Sequence, residues 1–132
     1  MKVPFMNLNQ VTLLATNIAQ SKVFYQNLGF ILIVDTERYL RFACPIGDST
    51  FSLVKTKKTA NATTTIYFEH PRLDTWVDEL INNNIEFTSL PQNKSYLWRE
   101  ASLSDPSGNK LILYWAGENR LHPPWKVKET SE

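Results

Sequence analysis

The stretch Leu73-Asp-Thr-Trp76-Val77-Asp-Glu-Leu80-Ile81-Asn-Asn-Asn84 carries apolar side chains at i, i+3, i+4, i+7 and i+8, the spacing of one face of an α-helix. Pro71 suits the first turn of such a helix, where its missing N–H loses no bond. Asn84 tolerates left-handed backbone and marks the stop. Outward from this helix, Thr64 to Glu69 reads as a strand before it. Ile85 to Thr88, Tyr96 to Leu103 and Lys110 to Trp115 read as strands after it.

The same order occurs in the first half of the chain. Gln10 to Ala15 reads as a strand, and Asn17 with Gln20 three residues on reads as a helix start. Phe24 and Leu28 lie four apart on one helical face, and Gly29 supplies the stop. Strands follow at Phe30 to Val34, Tyr39 to Ala43 and, after the turn signal Pro45-Ile-Gly-Asp, Thr50 to Val54. Gln10 to Gly29 and Thr65 to Asn84 each span nineteen positions, and the two segments are fifty-five apart. We therefore expect an α+β protein of two tandem βαβββ modules. Module one covers residues 8–56, a polar linker 57–63, module two 64–116 and a C-terminal tail 117–132. Neither module buries a sheet face alone, so the 132 residues are expected to share one core as a single domain.

Composition narrows the function classes. Fourteen Lys and Arg against thirteen Asp and Glu give a net charge of +1. That leaves no strong field for a nucleic-acid backbone or an anionic membrane. Cys44 is the single cysteine, so no intramolecular disulfide forms. No basic and apolar leader or membrane-length apolar run is present, and the expectation is a cytoplasmic protein.

Strand alternation assigns the faces. Val11, Leu13 and Ala15, Phe51 and Leu53, Ile66 and Phe68, and Leu111, Leu113 and Trp115 form one apolar set for packing under the helices. Leu97, Ala101 and Leu103 join it. The opposite set mixes polar, aromatic and aliphatic groups: Gln10, Thr12 and Leu14 on one strand, then Ser52 and Val54. Thr65, Tyr67 and Glu69, Trp98, Glu100 and Ser102, and Ile112 and Tyr114 continue it. Such a mixture suits a small-molecule pocket. Trp98 beside Tyr67 and Tyr114 suits a flat or cationic ligand, with Glu69 and Glu100 supplying negative charge. Arg41 is read either as the partner of an acid or ligand anion, or as a solvated cation on an edge strand. His70, before Pro71, is read as closing a strand end. Trp125 is expected to dock the tail onto a sheet edge or a second subunit, with residues 128–132 frayed.

Phe24-Tyr25-Gln-Asn-Leu28-Gly29-Phe30 in the first module and Asp105-Pro106-Ser107-Gly108-Asn109 before the last strand resemble the vicinal oxygen chelate superfamily. That superfamily includes glyoxalase I, extradiol dioxygenases and bleomycin-resistance proteins. The resemblance spans residues 8 to 116 and implies paired βαβββ modules forming a curved mixed sheet around a cleft, often in a dimer. In its metal-dependent members four ligands come from strand positions that correspond here to Gln10, Ser52, Thr65 and Ile112. An aliphatic side chain offers a cation nothing, and neutral Ser and Thr hydroxyls are poor ligands. Asp105 is assigned to folding, as an acceptor for backbone amides two residues on.

The leading expectation is a metal-independent, cofactor-free small-molecule-binding protein, acting as a homodimer. Its ligand-binding candidates are Gln10, Thr12, Ser52, Thr65, Tyr67, Trp98, Ile112 and Tyr114. One alternative is a glyoxalase-like lyase or isomerase, or a ring-cleaving dioxygenase, working through a metal. Another is a metal-free enzyme with Glu69 or Glu100 as acid or base. A third is a structural domain plugged by Leu14, Val54 and Ile112.

Overall fold

The computed structural model describes residues 6–57 and 64–128; most of the expected linker and residues 129–132 of the tail lie outside them. The chain forms two compact units. Unit 1 contains β1 (Gln10–Ala15), α1 (Ile18–Leu28), β2 (Ile31–Asp35), β3 (Tyr39–Ala43) and β4 (Thr50–Lys55). Unit 2 contains β5 (Thr65–Glu69), α2 (Leu73–Asn82), β6 (Ser89–Asn93), β7 (Arg99–Ser104) and β8 (Lys110–Trp115), followed by a 3-10 turn at Gly117–Asn119. Each unit is the expected βαβββ module. The sheet orders are β1-β4-β3-β2 and β5-β8-β7-β6, with the first pair parallel and the others antiparallel in both.

The fifty-five-residue repeat is visible in individual hydrogen bonds. The Phe30 amide donates to the Tyr25 carbonyl at 3.1 Å, and the Ile85 amide donates to the Leu80 carbonyl at 3.0 Å. These are the same helix-ending bond in the two units. It requires left-handed backbone one residue earlier, which Gly29 (φ 107°) and Asn84 (φ 66°) supply. At the other end of α1, the Asn17 carboxamide oxygen accepts from the Gln20 amide at 2.9 Å, the expected cap. Pro71 falls just ahead of α2, not inside its first turn.

The helices bury the expected strand faces. In unit 1, Leu13, Ala15, Leu40, Phe42, Phe51 and Leu53 are buried under α1. The buried stripe of α1 is Ile18, Ser21, Tyr25 and Leu28, so Tyr25, and not Phe24, is the aromatic partner of Leu28. Its ring packs 5.0 Å from Phe51 and 5.5 Å from Phe42. In unit 2, Leu73, Val77 and Leu80 of α2 are buried, with Phe68, Ala101, Leu103, Leu111 and Leu113 of the sheet.

Three local expectations are corrected. The segment Ile85 to Thr88 is not a strand. Ile85 is bound back to the end of α2, and pairing begins where the Thr88 amide donates to the Ser102 carbonyl. The strand that follows, β6, includes Pro91, tolerated because β6 is an edge and its register shifts between Ser89 and Gln92. Leu97 is not core: with φ 71° it sits in the β6–β7 hairpin turn, 48% exposed. Trp115 shares the face of Arg99, its pairing partner. It stands beside the first turn of α2 without being covered, and remains 42% exposed.

The segment Asp105–Asn109, between β7 and β8, belongs by its contacts to unit 1. Its Asp105 is the acceptor expected from the sequence, and accepts more than expected. Oδ1 takes the amides of Ser107 and Asn109, each at 2.9 Å. Oδ2 takes the Asn109 side-chain amide at 2.8 Å and the Tyr25 hydroxyl at 2.7 Å. Asn109 also donates to the Leu14 carbonyl at 2.7 Å, and the Thr16 amide donates to the Ser107 hydroxyl at 2.8 Å. Asp105 and Tyr25 are both buried, so the carboxylate is stabilised by charge-assisted bonds in place of water.

Candidate functional site

Each sheet has one face under its helix and one face open, and strand register fixes what the open face carries. In unit 1 the rows are Leu14–Val54–Tyr39 and Thr12–Ser52–Arg41. In unit 2 the corresponding rows are Glu69–Tyr114–Glu100 and Tyr67–Ile112–Ser102.

The open face of unit 1 is a hydrogen-bonded chain. Gln10 donates through Nε2 to Ser52 Oγ at 2.8 Å and accepts at Oε1 from the Thr50 hydroxyl. Ser52, fully buried, shares a 2.6 Å bond with the Tyr39 hydroxyl. That hydroxyl accepts from Arg41 Nε at 2.9 Å. The Ser52 hydrogen bond holds the Tyr39 phenol below the ordinary tyrosine range against the opposing effect of desolvation, and Arg41 adds to the lowering. Gln10, Thr12 and Ser52 are expected ligand residues that share this face, and Tyr39 is not among the expected set. Its i, i+2 spacing from Arg41 puts both on one face of β3, but its bond to Ser52 crosses to β4.

The open face of unit 2 is aromatic. Trp98 stacks on Tyr114 with centroids 4.8 Å apart and rings 25° from parallel. Tyr67 meets both edge-on, at 5.5 Å from Tyr114 and 6.0 Å from Trp98. Tyr96, absent from the expected set, meets Trp98 edge-on at 5.8 Å. The Trp98 indole N–H donates to the Asn119 carbonyl at 3.3 Å, which helps hold the ring in place. Ile112, Tyr114 and Ala116 form the buried floor against which Trp98 packs. Tyr67 stays 48% exposed at the surface of this cluster. Thr65 lies opposite Lys110, one row away.

The two candidate carboxylates differ in what they hold. Glu69 accepts at Oε2 from the amides of Ala116 (3.0 Å) and Gly117 (3.1 Å), with Arg120 Nε 3.7 Å from Oε1. It is a strut for the chain leaving β8. Gly117 completes that exit with φ 56°, where a Cβ would fall 3.0 Å from the Trp115 ring. Glu100 is buried and accepts at Oε2 from the Tyr96 hydroxyl at 2.5 Å. Desolvation and then Glu100 push the Tyr96 phenol up to about 12. Burial and then Glu69 raise the Tyr114 phenol. The tail thus docks through Gly117–Asn119, whereas Trp125, expected to anchor it, is 58% exposed.

The four positions that would carry a divalent cation do not fit one. Ile112 has no donor atom and is 5% exposed. Ser52 Oγ and Gln10 Oε1 are already hydrogen-bonded within unit 1, and Thr65 offers only a neutral hydroxyl. Among the described residues no three His, Cys, Asp or Glu side chains gather. His70 instead accepts the Arg72 amide at Nδ1, at 2.9 Å, and stacks on Trp76. Leu14 and Val54 are exposed, so they plug nothing. Depressions of about 640 Å³ at the start of α1 and about 300 Å³ beside Trp115 are lined by none of the expected ligand residues. No helix among the described residues is long and apolar enough to cross a membrane.

Paired βαβββ units with open sheet faces define the class of protein. Residues 7–113 match the Glyoxalase/Bleomycin resistance protein/Dioxygenase superfamily, and the chain belongs to it. No curated protein matches it in sequence. Among solved structures, it is similar to a glyoxalase/bleomycin resistance protein/dioxygenase from Nocardioides (18% identity, TM-score 0.75, 96% of this chain and 93% of that one covered). It is similar to a lactoylglutathione lyase from Agrobacterium tumefaciens (15%, 0.70, 86% and 96%). A bleomycin-binding protein complexed with bleomycin is a further neighbour (17%, 0.70, 83% and 98%). At these identities the likeness establishes the fold.

Proposed function

We propose that this protein binds a small organic molecule without a metal ion and without catalysing a reaction. The aromatic face of unit 2 is its contact surface. The observation that carries the reading is the Tyr67–Trp98–Tyr114 cluster, held from below by Ile112 and from the side by the Asn119 carbonyl. Rings fixed in this way lose little conformational entropy on binding. Glu100 and Glu69 add negative charge beside them, which suits a flat ligand with cationic character. Thr65, one row away in the same unit, is proposed as a polar contact, and the bleomycin-bound neighbour supports a binding role on this fold. A homodimer in the cytoplasm completes the reading; half-exposed Ile31 and Ile33 on edge strand β2 support the dimer.

Tryptophan fluorescence titration with a panel of planar cations tests the site. Saturable quenching is expected, lost in Trp98→Phe and retained in Trp125→Phe. Elemental analysis of the purified protein tests metal independence. One equivalent of Zn, Ni, Mn or Fe per chain would instead favour a glyoxalase-like lyase or a dioxygenase, and no response to any panel member defeats the binding role.

A further inference from the structure

We propose that the open face of unit 1 is a second binding site, specific for organic monocarboxylates, in which the Arg41 guanidinium takes the carboxylate and Leu14 and Val54 take the apolar body. It goes beyond the aromatic site, because it uses other residues and the opposite charge.

Arg41 Nε is committed to the Tyr39 hydroxyl at 2.9 Å, and the guanidinium carbon lies 5.4 Å from the centre of the Tyr39 ring. These two contacts orient the group. Neither Nη atom has a partner among the described residues, and no carboxylate there pairs with Arg41. The side chain is exposed, so an oriented guanidinium edge is left facing solvent. Two parallel N–H donors in one plane match a carboxylate.

The support behind Arg41 is closed. Tyr39, Ser52 and Gln10 hydrogen-bond one another, with Ser52 fully buried. The Ser52 hydrogen bond, more than Arg41, holds the Tyr39 phenol below the ordinary tyrosine range. Register also puts an apolar row next to the cation. Leu14 pairs with Val54, and Val54 with Tyr39, one row from Arg41. Leu14 is 47% exposed and Val54 36%. The side chains in these two rows include one formal charge, that of Arg41, so a phosphate dianion would leave one charge uncompensated beside the apolar row, a desolvation cost that a monoanion avoids.

The test is an NMR titration of the full chain with benzoate, reading the Arg41 Nε–Hε resonance in the wild type and the backbone amides of β3 and β4 in the wild type and every variant. Benzamide, the neutral isostere, and inorganic phosphate are the controls. A saturable shift with benzoate is expected, with benzamide silent and phosphate at least several-fold weaker. Arg41→Gln should weaken benzoate binding about tenfold or more, Arg41→Lys less, because Lys keeps the charge but not the planar donor pair. Val54→Thr should weaken it several-fold. Trp98→Phe should leave it unchanged, so this inference and the aromatic-site reading fail separately. Phosphate binding as strongly as benzoate, benzoate binding unaffected by Arg41→Gln or by Val54→Thr, or binding abolished by Trp98→Phe would each overturn the assignment.

Discussion

Units 1 and 2 share strand order, helix-ending bond and pairing pattern, yet their open faces have opposite electrostatic character. In unit 1 a serine hydroxyl and an arginine lower the phenol of Tyr39. In unit 2 desolvation, followed by the carboxylates Glu100 and Glu69, raises those of Tyr96 and Tyr114. Tyr39 pairs with Val54, and Glu100, at the matching lattice point, pairs with Tyr114. The backbone of a βαβββ unit therefore fixes where side chains stand and leaves their chemistry free. The helix-side faces differ too. Unit 1 seats a tyrosine in its core and supplies the acceptor from the Asp105–Asn109 turn, whereas the buried residues of α2 are aliphatic throughout.

The largest expected effect tests that turn. Asp105→Ala removes a buried acceptor of four hydrogen bonds and should lower stability by about 3–5 kcal/mol. Urea unfolding gives the value, and a loss below about 1 kcal/mol would mean that unit 1 does not depend on the segment. Next comes the donor-poor floor of unit 2. Ile112→Glu places a carboxylate at a site 5% exposed and should cost about 3 kcal/mol. Millimolar Mn²⁺, Zn²⁺ or Ni²⁺ should not restore the melting temperature; rescue by any of them would show that the neighbouring atoms form a cation site.

Tyr25→Phe keeps the ring and deletes the hydroxyl, leaving Asp105 one donor short, at about 1–3 kcal/mol. It also changes the alkaline limb of stability. Burial first, and then Asp105, raise the Tyr25 pKa far above its unfolded value near 10. Its contribution is therefore fully present below pH 10 and lost as pH rises beyond it. Thermal unfolding between pH 9 and 11.5 should show a steeper loss in the wild type than in Tyr25→Phe, and parallel curves would break the argument. The smallest effect belongs to the helix-side surface of unit 2. Arg99 holds Asp74 through bonds of 2.8 and 3.0 Å, both residues partly solvated. Arg99→Ala should change stability by less than about 1 kcal/mol, read as a melting shift of a few degrees at most.

Much of the architecture was legible because it depends on local spacing. Gly29 and Asn84 mark the repeat, and alternation puts Leu13, Phe51, Leu111 and Leu113 under the helices. The failures occurred where apolarity was the only clue. Ile85 reads as strand but closes the end of α2, and Leu97 reads as core but occupies a left-handed turn position. On the open faces, the expectation of Trp98 beside Tyr67 and Tyr114 matches the contacts in unit 2. The roles of Glu69 and Tyr39 were not legible. One carboxylate holds two backbone amides and one phenol bridges Ser52 and Arg41, and neither relation follows from spacing along a strand.

The sequence alone determined the duplication, the two helices and the faces on which the residues of β1, β4, β5, β7 and β8 stand, since periods of 3.6 and 2 and the stops at Gly29 and Asn84 are properties of the local chain. Only the tertiary structure decided that the Tyr25 hydroxyl donates to Asp105, eighty positions away, and that Arg41 keeps its Nη atoms unpaired among the described residues while Arg99 does not. Partners brought together by folding are set by three-dimensional packing and by the need to satisfy buried polar atoms, and no one-dimensional pattern records either.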